Sequence, residues 1–134
     1  MSSHQVGSLS HVGKELGQFL LICALAFGLL RLVQHYWQDP LVMLAGSSAV
    51  MAGMLLVKRD LAVTVAGLMV GVIGPLFEIQ LVDIGALTYA APHLEGIPAW
   101  LFMVWGAGGI FIACLHQFIR VLIAQTETPR IDGD

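Results

Sequence analysis

The sequence predicts an all-α integral membrane protein, a four-helix bundle with both termini on the cytoplasmic side. Three observations predict it. Hydrophobic residues make up 57% of the 134-residue chain and charged residues only 11%, against about 25% charged residues in ordinary soluble domains. The apolar residues gather into runs long enough to cross hydrocarbon, which takes about 17–25 residues of helix. The charges between those runs sort by sign when the runs are made to alternate in direction. A mean hydropathy of +0.84 agrees: a core this small in water needs more polar cover than the chain owns, so lipid solvates most of its surface.

The first run covers residues 17–37, interrupted near its end by Arg31, Gln34 and His35. The eighteen residues before its oily part are polar, which reads as a retained span rather than a cleaved leader, whose apolar region begins sooner. Pro40 in "QDP" breaks the first helix, because proline has no N–H to continue the backbone bonding. The second run covers residues 41–57 and ends at the charged turn "KRD", Lys58 to Asp60. The third covers residues 61–90, favoured as one long helix kinked at Gly74-Pro75, where proline leaves a carbonyl without its donor; the alternative is a stop near Phe77 with residues 78–91 as a separate interfacial segment. The fourth covers residues 97–124, after "APHLEGIP". Residues 1–16 and 125–134 read as polar cytoplasmic tails around a single membrane domain. No internal repeat and no second domain are visible.

Alternation of four spans puts Lys14, Lys58, Arg59, Arg120 and Arg130 on one side and Asp39, Glu78, Asp83 and Glu95 on the other. Cytoplasmic loops carry the excess of lysine and arginine, so the basic side is inward and the expected home is the bacterial inner membrane. Tyr36, Trp37, Tyr89 and Trp100 then lie at the outer interface, where amphipathic rings settle. Small residues mark packing faces: Ala45, Ala49, Ala52 and Gly53 on the second span, Gly106, Gly109 and Ala113 on the fourth.

The functional question is posed by "GPLFEIQLVDIGALTY", Gly74 to Tyr89, where two carboxylates follow a spanning run. At 100° per residue, Gly67, Gly71, Gly74, Glu78, Gly85 and Tyr89 share a sector of about 60° on a continuous helix. Ionisable groups inside a membrane usually face the bundle and pair. Arg31 is the one cation at a similar depth, and Arg31, Gln34, His35 and Gln38 follow an i, i+3, i+4, i+7 stripe. The expectation is that this stripe meets Glu78, with Gln80 or Asp83 nearby, in an outer-half polar cluster. Such a cluster either fixes the register of the first and third helices, or holds a headgroup or small polar molecule, or lets each side chain reach the headgroups separately. As a ligand site it comprises Arg31, Gln34, His35, Glu78, Asp83 and Tyr89. No HxxxH or ExxH spacing supports a metal site around His35 and His93. Cys23 and Cys114 read as small buried hydrophobes, and His116, on a face with Trp105, Gly109, Ile112 and Arg120, as a histidine without further role.

No GxSxG, P-loop, HExxH or CxxC motif occurs, so nucleophilic catalysis has no visible machinery. The absence of a basic patch argues against nucleic acid. The leading expectation is a non-enzymatic membrane protein that binds a lipid, an isoprenoid-like amphipathic ligand or a partner subunit. Two other classes stay open: an intramembrane enzyme on a lipid or isoprenoid, with Asp83 or Glu78 as acid or base, and an oligomeric transporter or channel subunit.

Glu78, Asp83, Gly85 and Tyr89, then "LEGIPAW" with Gly96, Pro98 and Trp100, then Trp105, form a succession that resembles a pattern in small bacterial multi-span membrane proteins of uncharacterised function. It is similar, over about thirty residues, to the carotenoid-biosynthesis membrane protein family, whose members are longer and have more spans. The resemblance implies that Glu78, Asp83 and Tyr89 line a site for a long apolar molecule such as an isoprenoid.

Overall fold

The structure is a computed structural model. It describes residues 3–126, with side chains from Ser10 onward; Arg130 and the end of the C-terminal tail lie outside the described residues. Among the described residues four helices make the fold: α1 (Ser3–Tyr36), α2 (Pro40–Lys58), α3 (Leu61–Asp83) and α4 (Leu101–Thr126). All four are long and apolar enough to cross a membrane. The chain is a multi-pass membrane protein with a four-helix bundle.

The helix boundaries follow from local chemistry. Residues 3–16 are helical and continuous with the first span, as the opening turns of α1. Pro40 does more than end α1: it opens α2, where its missing N–H costs nothing, while Asp39 Oδ1 accepts the N–H groups of Leu41 and Val42 at 3.2 and 3.1 Å. A two-residue turn joins α2 to α3. Arg59, at φ 44°, takes the left-handed position that ends α2, and Asp60 caps α3 by accepting the Val63 N–H at 3.0 Å. Pro75 lies fully buried inside α3, which runs on past it.

The third helix does not reach residue 90. It stops at Asp83, and the reason is Gly85. At φ 73° Gly85 takes the left-handed conformation that side chains avoid. The Ala86 N–H returns to the Leu81 carbonyl at 2.9 Å and the Gly85 N–H to the Val82 carbonyl at 2.9 Å. That pair of bonds is the Schellman closure of a helix. The chain then crosses the outer end as irregular backbone. Glu95 and Gly96, both at positive φ, form a tight turn whose flanking residues Leu94 and Ile97 bond each other. Ile97 is fully buried, and α4 starts four residues later, at Leu101.

Packing is uneven. The dominant interface is between α3 and α4, and α4 also touches α1 and α2. Glycines explain this. A Cβ on Gly71 would lie 3.2 Å from Gly106 Cα and 3.1 Å from the Phe102 carbonyl oxygen; one on Gly109 would lie 2.9 Å from the Ala66 carbonyl oxygen. Backbones approach this closely only where both helices are small, which is how helices associate in lipid. On its other side α4 meets α1 through rings: Phe19 stacks on Phe118 at 5.0 Å and lies 6.1 Å from Phe111. The larger apolar cluster holds Ile22, Leu29, Met54, Val63, Ala107, Ile110 and Cys114. A second, at the outer end, holds Met43, Ile97, Trp100 and Leu101. Of the proposed packing faces, Gly106 and Gly109 are buried and Gly53 sits under Leu25, whereas Ala45, Ala49 and Ala52 are exposed. Ser47, buried within α2, is satisfied by its own helix, its hydroxyl donating to the Met43 carbonyl at 2.6 Å. Cys23 and Cys114 are free thiols, Cys114 buried.

Candidate functional site

The outer polar cluster does not assemble. Among the described residues α1 and α3 make no contact, because α4 occupies the glycine face of α3. Arg31 is exposed and its guanidinium donates to Gln34 Oε1 at 3.2 Å, one turn along its own helix. His35 is exposed, its ring centred 6.5 Å from that of Tyr36. Glu78 lies on α3, half-buried, and accepts the Trp105 indole N–H at 2.7 Å on Oε1; its other oxygen, Oε2, is buried without a partner. Asp83 and Gln80 are exposed, Asp83 as the last residue of α3. Tyr89 shares no helix face with Glu78. It packs from the connecting segment against the outer apolar cluster. The shared face of Gly67, Gly71 and Gly74 is covered by Ile110, Gly106 and Trp105. Of the aromatic belt, Tyr36 and Trp37 are exposed, but Trp100 is core, 6% exposed, with an unpartnered indole N–H. His116 is exposed, beside a shallow apolar groove.

The chemistry gathers at the opposite end. A cavity of about 490 Å³ opens where the N-terminal half of α1, the α2–α3 turn and the end of α4 converge. Four cations line it, Lys14, Lys58, Arg59 and Arg120, against two carboxylates, Glu15 and Asp60. Both carboxylates are committed. Glu15 pairs with Lys58, which also donates to Gln18 Oε1 at 3.5 Å. Asp60 caps α3 and accepts from Gln117 Nε2 on α4 at 3.2 Å. Gln18 in turn donates to the Val57 carbonyl at 3.1 Å. These bonds tie α1 to α2 and the start of α3 to α4, and leave Lys14 and Arg120 without a partner among the described residues. Arg59 gives only its Nε–H, to the Leu56 carbonyl at 3.2 Å. The cavity therefore has two charges in excess and unspent donors on both arginines.

The Val63 N–H holds the Asp60 carboxyl below its ordinary pKa of 3.8, helped by Gln117, the Ala62 N–H and the Lys58 charge, against the opposing effect of burial. A lowered value means that the cap stabilises above the ordinary pKa and fades as pH falls through the lowered one. Asp60→Ala is expected to cost about 1 kcal/mol near neutral pH, the usual worth of an N-cap. Unfolding followed in detergent should show that gap in full at about pH 6 and narrowing below about pH 4.

Sequence reading placed these basic residues on one side but did not see them as a site. The signal was present: "KRD" at one helix turn, with Lys14, Glu15 and Gln18 at i, i+1 and i+4 on the helix that starts at the same end. Among the described residues no three His, Cys, Asp or Glu side chains are placed to hold a metal ion. No family model, curated protein or solved structure matches the chain, so the cavity is interpreted from its own geometry.

Proposed function

We propose that this protein binds the phosphate group of an anionic amphiphile in the cavity at its basic end. The protein is a multi-pass membrane protein and the reading is non-enzymatic. The observation that carries it is the pair of cations, Lys14 and Arg120, facing a cavity whose carboxylates are already paired. Arginine offers a phosphate two parallel donors, and lysine adds a point charge. The cavity lies at the ends of four spanning helices, the depth of lipid headgroups. Basic pockets between helices on the cytoplasmic side suit anionic headgroups. The excess of basic residues makes this the inward end, and the bacterial inner membrane the expected location.

Native mass spectrometry of the delipidated protein tests this with phosphatidylglycerol, phosphatidylcholine and inorganic phosphate as separate probes. Phosphatidylglycerol should be retained preferentially. Lys14→Gln with Arg120→Gln should weaken it about thirtyfold, taking about 1 kcal/mol for each cation near the surface. Competition by inorganic phosphate alone, at equal strength, would assign the site to a free anion instead. Equal retention of both lipids, unchanged in the double variant, would sink the reading.

A further inference from the structure

Arg31 and Glu78 are two charges of the outer half that lie within spanning helices and lack an ion partner among the described residues, and they call for one outside the chain, independently of the basic cavity. Arg31 lies five residues before the end of α1 and Glu78 five residues before the end of α3. Both are thus about 7.5 Å in from the outer end of parallel-running helices. They lie on helices that do not touch, with α4 between. Among the described residues Arg31 has no carboxylate partner and Glu78 no cation. An arginine and a glutamate at the same depth, each lacking the other, are complementary only between molecules.

The face that carries Arg31 is built for close approach. Gly13, Gly17, Ala24, Gly28, Arg31 and His35 fall within a sector of about 60° on α1, and all are exposed. A Cβ on Gly13, Gly17 or Gly28 would meet nothing within 4 Å, whereas Gly53 of α2, Gly67, Gly71 and Gly74 of α3 and Gly106 and Gly109 of α4 each face a neighbouring helix. On the other side, Phe77 and Leu81 flank Glu78 and are exposed, 67% and 42%. Trp105, the donor to Glu78, is 38% exposed. One face is a glycine trough ending in a cation; the other is a bulky ridge beside a carboxylate.

We infer that the protein assembles head to tail with copies of itself, α1 of one copy lying against the outer flank of the α3–α4 seam of the next, with Arg31 of one copy paired to Glu78 of the next. A symmetric α1–α1 pair is the rival arrangement, and it would set Arg31 against Arg31, like charges at one depth. The head-to-tail contact uses two different faces, so it repeats from copy to copy around the membrane normal, and it forms a ring where the rotation between copies closes. Each contact relieves one unpaired charge on either side, the usual fate of ionisable groups within a membrane.

Cross-linking of the full chain in lipid nanodiscs decides between these arrangements. In a Cys23→Ala, Cys114→Ala background, Gly28→Cys combined with Phe77→Cys should form a ladder of disulfide-linked multimers on oxidation with copper phenanthroline. Each single cysteine should stay monomeric on a denaturing gel. Cross-linking of Gly28→Cys alone would establish the symmetric pair and overturn the inference, as would a double-cysteine chain that never links. The charges are tested separately by native mass spectrometry. Arg31→Glu and Glu78→Arg should each reduce the oligomer at least tenfold, and the combined swap should restore it. Oligomers unaffected by either single change would also overturn it.

Discussion

Gly109→Leu is expected to be the most damaging single substitution in the bundle. The added Cβ would fall 2.9 Å from the Ala66 carbonyl oxygen and 2.7 Å from Val70 Cβ. The first of these is backbone and cannot step aside without moving α3. Overpacking a tight interface costs about 1–3 kcal/mol and more when backbone must shift; this site belongs at the upper end, because the α3–α4 contact is the main one α3 has. The adjacent residue supplies the control. Gly108 faces open space on α4, with nothing within 4 Å of a Cβ, beside an apolar groove of about 340 Å³ lined by Leu29, Val33 and Phe111. Gly108→Leu should cost little, and the better helix propensity of leucine, close to 1 kcal/mol over glycine, acts in its favour. Unfolding by dodecyl sulfate titration, followed by tryptophan fluorescence, to which Trp105 at the seam contributes, should separate the two variants by about 3 kcal/mol. Equal stability would mean that the seam is looser than its glycines indicate.

The second large effect is expected at Lys58. Its side chain is 9% exposed and that of its partner Glu15 16%, so the pair is shielded by the helix ends rather than buried in the core. Lys58→Met leaves the Glu15 carboxylate without its cation and removes the donor to Gln18. Removing one member of a well-buried pair costs about 3–5 kcal/mol. At this half-wet depth about 2 kcal/mol is expected. The informative comparison is Glu15→Leu added to Lys58→Met, which removes the stranded charge. Replacing both partners of a shielded pair is often near neutral, so the double variant should recover most of the loss. A double variant as unstable as the sum of its singles would show that the two side chains act independently.

The outcome at the two ends of the molecule shows what a sequence of this kind discloses. Spans and their number were legible because hydrophobic length is a one-dimensional signal, and the four helices lie where the apolar runs do. The end of α3 was legible too, in Gly85, yet that glycine also matched a helical stripe with Gly67, Gly71 and Gly74. Only the stripe reading carries α3 on to residue 90. The competing reading, a left-handed residue closing the helix, prevails because the Schellman bonds satisfy carbonyls that would otherwise be orphaned. Which helices touch was not legible. Arg31 and Glu78 share a depth, but depth says nothing about rotation around the bundle. The arrangement is set by glycines on α4 matching glycines on α3, a property of pairs of helices that no single stripe reveals. The basic cavity was hidden for the same reason: its residues come from three separate stretches of chain.

The position of α4 also dictates an order of construction. Among the described residues it is the only helix that binds the other three extensively, and it is synthesised after them. Until it leaves the ribosome, α3 has almost no neighbour, since its tight turn to α2 brings the two helices together only weakly. Its glycine face must wait among lipids, and the polar ties from Asp60 to Gln117 cannot form. The four-helix bundle is therefore assembled by α4, and a nascent chain cut short before Leu101 would be inserted in the membrane yet hold no completed bundle.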